Sequence, residues 1–247
     1  MTIHYGFDDF DASQPTVVTV GSFDGVHAGH RVLLSHLAQM AHRLAAASVV
    51  VTLDPHPRIA MQRAEGMTLL TTVEERALIF ESCGIDHLVV AHFDEAFRSQ
   101  SYETFVRESL VQRLGMRGMV VGFDHRFGKG SEGSFDMLLP LAKSCGFEVE
   151  QVAQYTDMGD GVSSTAIRNL IAEGNMRRAT EMLGHPYIII GMAQHGVVGV
   201  ANAYKQLPSN GEYLSRVNGV PTTVIVDKRC LILPTELEGE VVIEFLQ

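Results

Sequence analysis

The apolar positions switch between two periods along the chain. Val17–Val20 is a short β-branched run that stops at Gly21, the pattern of a buried strand. From about His30 to Ala46, the residues Val32, Leu33, Leu37, Met40, Ala41 and Leu44 recur at helical spacing. A second strand is predicted at Ser48–Leu53. Thr72-Val-Glu-Glu75 reads as a capping box, hydroxyl and carboxylate each satisfying a helix-start N–H, and opens a helix that runs to Gly84. A strand at Leu88–Ala91, a helix over about Ser101–Leu114, a strand at Met119–Gly122, a helix over about Ser134–Cys145 and a strand at Glu148–Val152 follow. Strands alternating with helices predict right-handed crossovers and a parallel sheet.

Beyond Gly161 the pattern changes. Ser163–Ala172 and Asn175–Leu183 read as two short helices, with Ser163 or Ser164 and Asn175 as N-caps. From Tyr187 the helical period disappears. Ile188–Ile190, Tyr213–Val217, Thr222–Val226 and Val241–Phe245 have the look of strands separated by Gly, Pro and Asn turns. No internal repeat or low-complexity tract is present. The expected division is a larger α/β domain over residues 1–186 and a small β domain over 187–247.

Charge and cysteine usage narrow the classes. A formal net charge of −10 argues against a broad hold on DNA or RNA, which needs a basic face. It leaves room for a small phosphate ligand held by a few local cations and backbone N–H groups. Cys83, Cys145 and Cys230 are odd in number, widely spaced and form no CxxC pair, so reduced, buried thiols are expected rather than a disulfide framework or a zinc site. No Lys or Arg precedes Arg31, no signal-peptide pattern is present, and no apolar run approaches the ~18 residues that span a bilayer. The expectation is a cytoplasmic protein with small-molecule substrates, bound to neither nucleic acid nor membrane. Its oligomeric state is left open.

The candidate chemistry starts at Gly21-Ser22-Phe23-Asp24-Gly25-Val26-His27-Ala28-Gly29-His30. Gly21, Gly25 and Gly29 fall four apart, unlike the dinucleotide fingerprint, on the turn from the first buried strand into the first long helix. Ligands bind at the carboxyl ends of strands in open α/β sheets. The helix start offers free N–H groups and a positive dipole end, and glycines let backbone approach a phosphate. His27 and His30, at i and i+3, share one face. A bare HxxH is more often two unrelated surface histidines, or a metal pair, but no third ligand is near and the glycine loop favours phosphate. The chemistry suited to it is in-line attack on an α-phosphate, with charge spread over equatorial oxygens that imidazoles can stabilise.

Three further segments fall in order. Thr52-Leu53-Asp54-Pro55-His56-Pro57-Arg58 follows the second strand, and its prolines stiffen the loop that aims His56 and Arg58. Gly122-Phe123-Asp124-His125-Arg126-Phe127-Gly128-Lys129-Gly130 supplies charge at Arg126 and Lys129, close approach at its glycines, and Phe123 or Phe127 to cover a ring. Ser163-Ser164-Thr165-Ala166-Ile167-Arg168 opens a helix. Hydroxyls there are usually caps, yet Arg168 lies a little over one turn on and can return toward the same end to clamp phosphate.

The first loop resembles the GxFDGVHxGH loop of the prokaryotic FAD synthetases, the adenylyltransferase half of the bifunctional riboflavin kinase/FMN adenylyltransferases. The wider HxGH superfamily shares only the His-x-Gly-His part. Asp54–Arg58 is similar to that family's DPHPR segment, Gly122–Gly128 to its G-x-D/N-F-x-F-G segment, Ser163–Arg168 to its SSTxIR motif and Gly184–Tyr187 to its LGxPY exit. His125 stands where the pattern has Phe, and an imidazole can still pack flat on an aromatic. The resemblance runs from about Val17 to Gly191.

The resemblance implies an α/β fold, a Rossmann-like parallel-sheet nucleotidyltransferase of the HxGH type with a small C-terminal β domain. It implies FMN + ATP → FAD + pyrophosphate, with ATP and Mg2+ as co-substrate. His27, His30 and Arg168 are the implied catalytic residues. Gly21, Ser22, Phe23, Asp24, Gly25, Gly29, Ser163, Ser164 and Thr165 would bind the nucleotide. His56, Pro57, Arg58, Asp124, Arg126, Phe127 and Gly128 would lie on the flavin or phosphate side. Two alternatives stand beside this: adenylyl or cytidylyl transfer to another phosphate acceptor, and a catalytically inactive flavin- or nucleotide-binding regulator. Leu207–Val217 is similar to a strand of the family's kinase barrel, but no Pro-Thr pair occurs between Gly191 and Leu207, where the kinase's GxPTAN segment belongs; Pro221-Thr222 comes too late. A shortened β domain without riboflavin kinase activity is therefore expected.

Overall fold

A computed structural model describes residues 1–62, 66–123, 125–157 and 160–246. The chain divides into two compact units, Met1–Phe23, Gly29–Glu65 and Ile79–Tyr155 in the first, and Asp24–Ala28, Gly66–Leu78 and Thr156–Gln247 in the second.

The first unit is built on six parallel strands. They are β1 (Thr2–Tyr5), β2 (Thr16–Val20), β3 (Ala47–Asp54), β4 (His87–His92), β5 (Met116–Gly122) and β6 (Glu148–Val152), in the order β1-β4-β3-β2-β5-β6. Every residue of β2 is buried, which suits a central parallel strand covered on both faces. The helices that follow these strands along the chain are α1 (Ala28–Arg43), α2 (Pro57–Ala60), α3 (Val73–Ser82, of which Val73–Leu78 fall in the second unit), α4 (Glu95–Ser99), α5 (Tyr102–Thr104) and α6 (Phe135–Cys145). The core joins Val18, Val49, Val51, Val89, Met119 and Val121 to Leu110, Leu114, Leu138 and Leu141. The architecture is the expected Rossmann-like α/β sheet.

Two details depart from the sequence reading. The helix expected over 101–114 begins as α5 and continues as a π-helix at Phe105–Arg113. Its buried residues Phe105, Val106, Ser109 and Leu110 recur four apart, a spacing that puts one face inward in either helix type. β1 was not expected, because its four residues are exposed or half-buried and show no alternation.

The second unit holds a two-residue ribbon, β7 (Thr156–Asp157) with β8 (Asp160–Gly161), then α7 (Ser164–Ala172), α8 (Met176–Leu183) and a closed antiparallel barrel. The barrel strands are β9 (Tyr187–Gln194), β10 (Val197–Gly199), β11 (Gly211–Val217), β12 (Val220–Asp227), β13 (Cys230–Ile232) and β14 (Gly239–Phe245), in the order β10-β13-β12-β11-β14-β9. Four of these were legible as strands; the three-residue β10 and β13 close the ring. Inward positions alternate, as in Tyr213, Ser215 and Val217 of β11. Tyr213 and Val217 share one core with Ile167, Ile171, Ala179 and Leu183 of the two helices.

The cysteine expectation needs correcting. All three thiols are free, but Cys83 and Cys145 are only partly buried and Cys230 is exposed. Cys230 takes an outward position on β13, whose inward residue is Leu231. Among the described residues no helix is long and apolar enough to cross a membrane.

Helix starts follow side-chain chemistry. Ser163 accepts from Ala166 N and Asn175 from Arg178 N, at 3.3 and 3.2 Å, so each hydroxyl or amide oxygen satisfies an orphan donor. Replacing Asn175 by Ala should lower the unfolding free energy by about 1 kcal/mol in a urea titration, with the slope unchanged.

Candidate functional site

β2 lies between β3 and β5, where the strand order changes direction, and the loops after all three leave from their carboxyl ends. The first of these is pinned to β3. Gly21 N donates to Val51 O at 3.0 Å and the Thr52 hydroxyl to Ser22 O at 3.3 Å. Phe23 then enters the left-handed region at φ 48°, with only 3% of its surface exposed. Its ring packs edge-on against His30 at 5.1 Å and Phe80 at 5.7 Å. Phe23 is thus an apolar anchor that braces the His30 ring. His30 and Gly29 occupy the first turn of α1, which carries no acidic side chain to oppose its positive end.

Asp24–Ala28 lies in the second unit, and its first two residues are held by a dense set of hydrogen bonds. Asp24 is 3% exposed; one carboxylate oxygen accepts Thr71 N at 3.0 Å and the other accepts Arg168 Nη2 at 2.5 Å. Arg168 also donates from Nε to Thr68 O at 2.6 Å. The Ser164 hydroxyl donates to Asp24 O at 2.9 Å, and Gly25 N donates to the Thr71 hydroxyl at 2.9 Å. His185 Nε2 meets Gly25 O at 3.0 Å. Gly25 has φ 83°, and a Cβ there would stand 2.6 Å from Leu70 Cδ1. Val26, fully buried, follows at φ 42°, an uncommon conformation for a β-branched residue. His27, half-buried, comes next and leads into α1.

The structure therefore brings Asp24, Gly25, Ser164 and Arg168 together. Arg168 spends its guanidinium on Asp24 and a carbonyl, an ordering task that the sequence reading as a phosphate clamp did not include. Ser163 is the exposed cap of α7 and Thr165 is exposed beside it. Thr68, Thr71 and His185 complete the arrangement. Nothing local in the sequence marks the two threonines, since their partners lie far away along the chain.

The other two loops are less uniform. His56 is buried to 9% exposure and caps α2, its Nδ1 accepting Arg58 N at 3.2 Å; Pro57 opens that helix. Phe127 is 8% exposed and belongs to the core, with the His125 ring stacked on it at 5.3 Å. Phe123, at 62% exposure, is the aromatic of this loop with an open face, and Arg126 is exposed as well. Gly128 is required for packing, because a Cβ there would lie 2.7 Å from Tyr102 N. Asp124 lies outside the described residues. Among the described residues no group of three or more His, Cys, Asp or Glu is placed to hold a metal ion.

Residues 9–166 match the model of the FAD synthetase family. The chain belongs to that family. The match takes in the loop at Gly21–His30, Asp54–Arg58 and Gly122–Gly130, and ends just short of Arg168. A bifunctional riboflavin kinase/FMN adenylyltransferase of Escherichia coli is 33% identical over 180 residues, covering 73% of this chain and 58% of that protein. A provisionally assigned one of Geobacillus thermodenitrificans is 39% identical over 171 residues, covering 69% of this chain and 90% of its own length. The alignment thus takes in little more than half the length of the Escherichia coli relative. A Streptococcus pneumoniae crystal structure described as a macrolide-efflux protein shares the fold, with a TM-score of 0.83 and 23% identity over 100% of this chain and 89% of that one.

The Asp24–Arg168 pair makes a test. The Arg168 side chain is 14% exposed, so Asp24→Ala leaves a largely buried cation uncompensated and should destabilise by about 3 kcal/mol. Arg168→Ala should do the same. The double variant should fall short of the sum by about 1–3 kcal/mol in a denaturation cycle.

Proposed function

We propose that the chain is an FMN adenylyltransferase, moving AMP from ATP to FMN to give FAD and pyrophosphate. The observation that carries this is the ordered Gly21–His30 loop, with its two histidines, at the carboxyl end of β2 in a chain of the FAD synthetase family. An oxygen of the FMN phosphate attacks the α-phosphorus of ATP in line, a new P–O bond forms, and the α–β bridge breaks to release pyrophosphate. His27 and His30 donate hydrogen bonds to the oxygens that gain charge, aided by the N-terminus of α1. Gly21, Ser22, Gly25, Gly29 and the Ser163–Thr165 turn cradle the triphosphate, while Phe23 and Asp24 hold the loop in shape. Arg168, tied through Nε and Nη2 to Thr68 O and Asp24, acts on the transfer through the loop that it orders.

His56, Pro57, Arg58, Asp124 and Arg126 form the flavin and acceptor-phosphate side of this reading, with Phe127 and Gly128 bracing that loop by their packing and the exposed Phe123 able to cover a ring. Mg2+ enters with ATP, whose phosphates supply much of its shell. Residues 1–186 carry the transfer and 187–247 form the β domain, in a protein that works in the cytoplasm on small molecules.

Incubation with FMN, ATP and magnesium, followed by chromatography, should yield FAD; conversion of a different phosphate acceptor in place of FMN would reject the assignment. His27→Ala and His30→Ala should each slow turnover by about 10²-fold or more, roughly 3 kcal/mol, the effect of losing one transition-state donor. Unchanged turnover in both would remove the histidines from the mechanism. Riboflavin in place of FMN should give no FMN, because no Pro-Thr pair falls between Gly191 and Leu207.

A further inference from the structure

Lys205 lies in the connection between β10 and β11, and none of its surface is exposed. Its ammonium uses three donors on three oxygens: Leu70 O at 2.6 Å, Glu75 Oε2 at 2.6 Å and Ile188 O at 2.8 Å. It also sits 4.3 Å from the centre of the Tyr187 ring. Glu75 is equally buried and accepts Thr72 N and Ile190 N, at 2.8 and 2.9 Å. Burial pulls the Lys205 ammonium below its ordinary range, and Glu75 pushes it back.

The position of Leu70 O gives this cluster its meaning. Leu70 O and Thr71 N–H belong to one planar peptide and point in opposite directions. Lys205 therefore grips one edge of a rigid plate whose other edge donates to the Asp24 carboxylate at 3.0 Å. A cation on the carbonyl also polarises the amide and strengthens that donation. The neighbouring peptides are held in the same way. Leu69 N donates to Tyr204 O at 2.7 Å, Gln206 N donates to Leu69 O at 2.8 Å, and the Thr68 hydroxyl bonds Gln206. Residues 68–72 are thus a strip held by 204–206 along one side and holding Asp24, Gly25 and Arg168 along the other.

We propose that Lys205 is a positioning residue for adenylyl transfer, acting through the Leu70–Thr71 peptide on Asp24 and on the Gly25 turn that presents His27. The β domain then serves the transfer loop without chemistry of its own. The link to turnover rests on the FMN adenylyltransferase reading; the link to loop order does not.

The test compares Lys205→Met with Val224→Ala, a core variant of the barrel outside this strip, at a temperature where circular dichroism shows both folded. In Lys205→Met, amide hydrogen exchange at Gly25 and Thr71 should quicken roughly tenfold, and kcat with FMN and ATP should fall by a similar factor. Val224→Ala should leave both near wild type. Equal exchange at Gly25 and Thr71 in the two variants overturns the proposal, as does faster exchange with an unchanged kcat. If wild-type protein makes no FAD, the functional reading fails, and the exchange comparison alone decides whether Lys205 orders the loop. Should Lys205→Met not fold, Lys205→Met with Glu75→Leu removes both buried charges; wild-type exchange and kcat in that double variant would likewise overturn the proposal.

Discussion

A buried carboxylate with both oxygens satisfied is the constraint from which the candidate site follows. Asp24 has 3% of its surface exposed, and an ionised group so placed is tolerated only when its lone pairs meet donors. Thr71 N–H and the Arg168 guanidinium meet them. That requirement fixes the strip at 68–71 and the start of α7 at the same time. It also explains how the chain sustains positive φ at Phe23, Gly25 and Val26 in close succession. Phe23 and Val26 are held by apolar burial, Gly25 by the absence of a Cβ, and the carboxylate between them locks the turn.

Much of the α/β unit was legible because its signals are local. β-branched runs at β2, β3 and β4 and helical spacing in α1 identify themselves within a short window. The capping box at Thr72–Glu75 forms both of its reciprocal bonds, at 2.8 and 3.3 Å. Asn175 and Ser163 cap as their positions suggested. Other elements carry no such signal. The strands β10 and β13 are three residues long and exist because longer neighbours pair with them. The π-helix shares its four-residue spacing with an α-helix.

The site was legible in its motifs and opaque in its wiring. Gly21–His30 and Ser163–Arg168 were readable as loop and helix start, but Asp24 and Arg168 stand 144 positions apart and their pairing depends on the fold. The same holds for Thr68 and Thr71. In the loop after β5 the pattern offered two phenylalanines, and burial separates them: Phe127 in the core beneath His125, Phe123 in the open. The relatives align over about three quarters of the chain, whereas the Streptococcus pneumoniae fold extends over all of it at 23% identity. Backbone architecture thus persists through the barrel at low identity.

The ring of six strands has a further bearing on how the molecule survives in a crowded solution. A strand with a neighbour on each side keeps its N–H and C=O groups occupied, so a closed ring offers a passing chain no ladder to extend. The open sheet of the first unit does have two rims, and both are blunted. One rim, β1, is four residues long. The other, β6, carries Glu148 and Glu150, engaged by Arg43 and His36 of α1 at 2.7 and 2.5 Å. Charge and brevity guard the places where one copy would otherwise template the next.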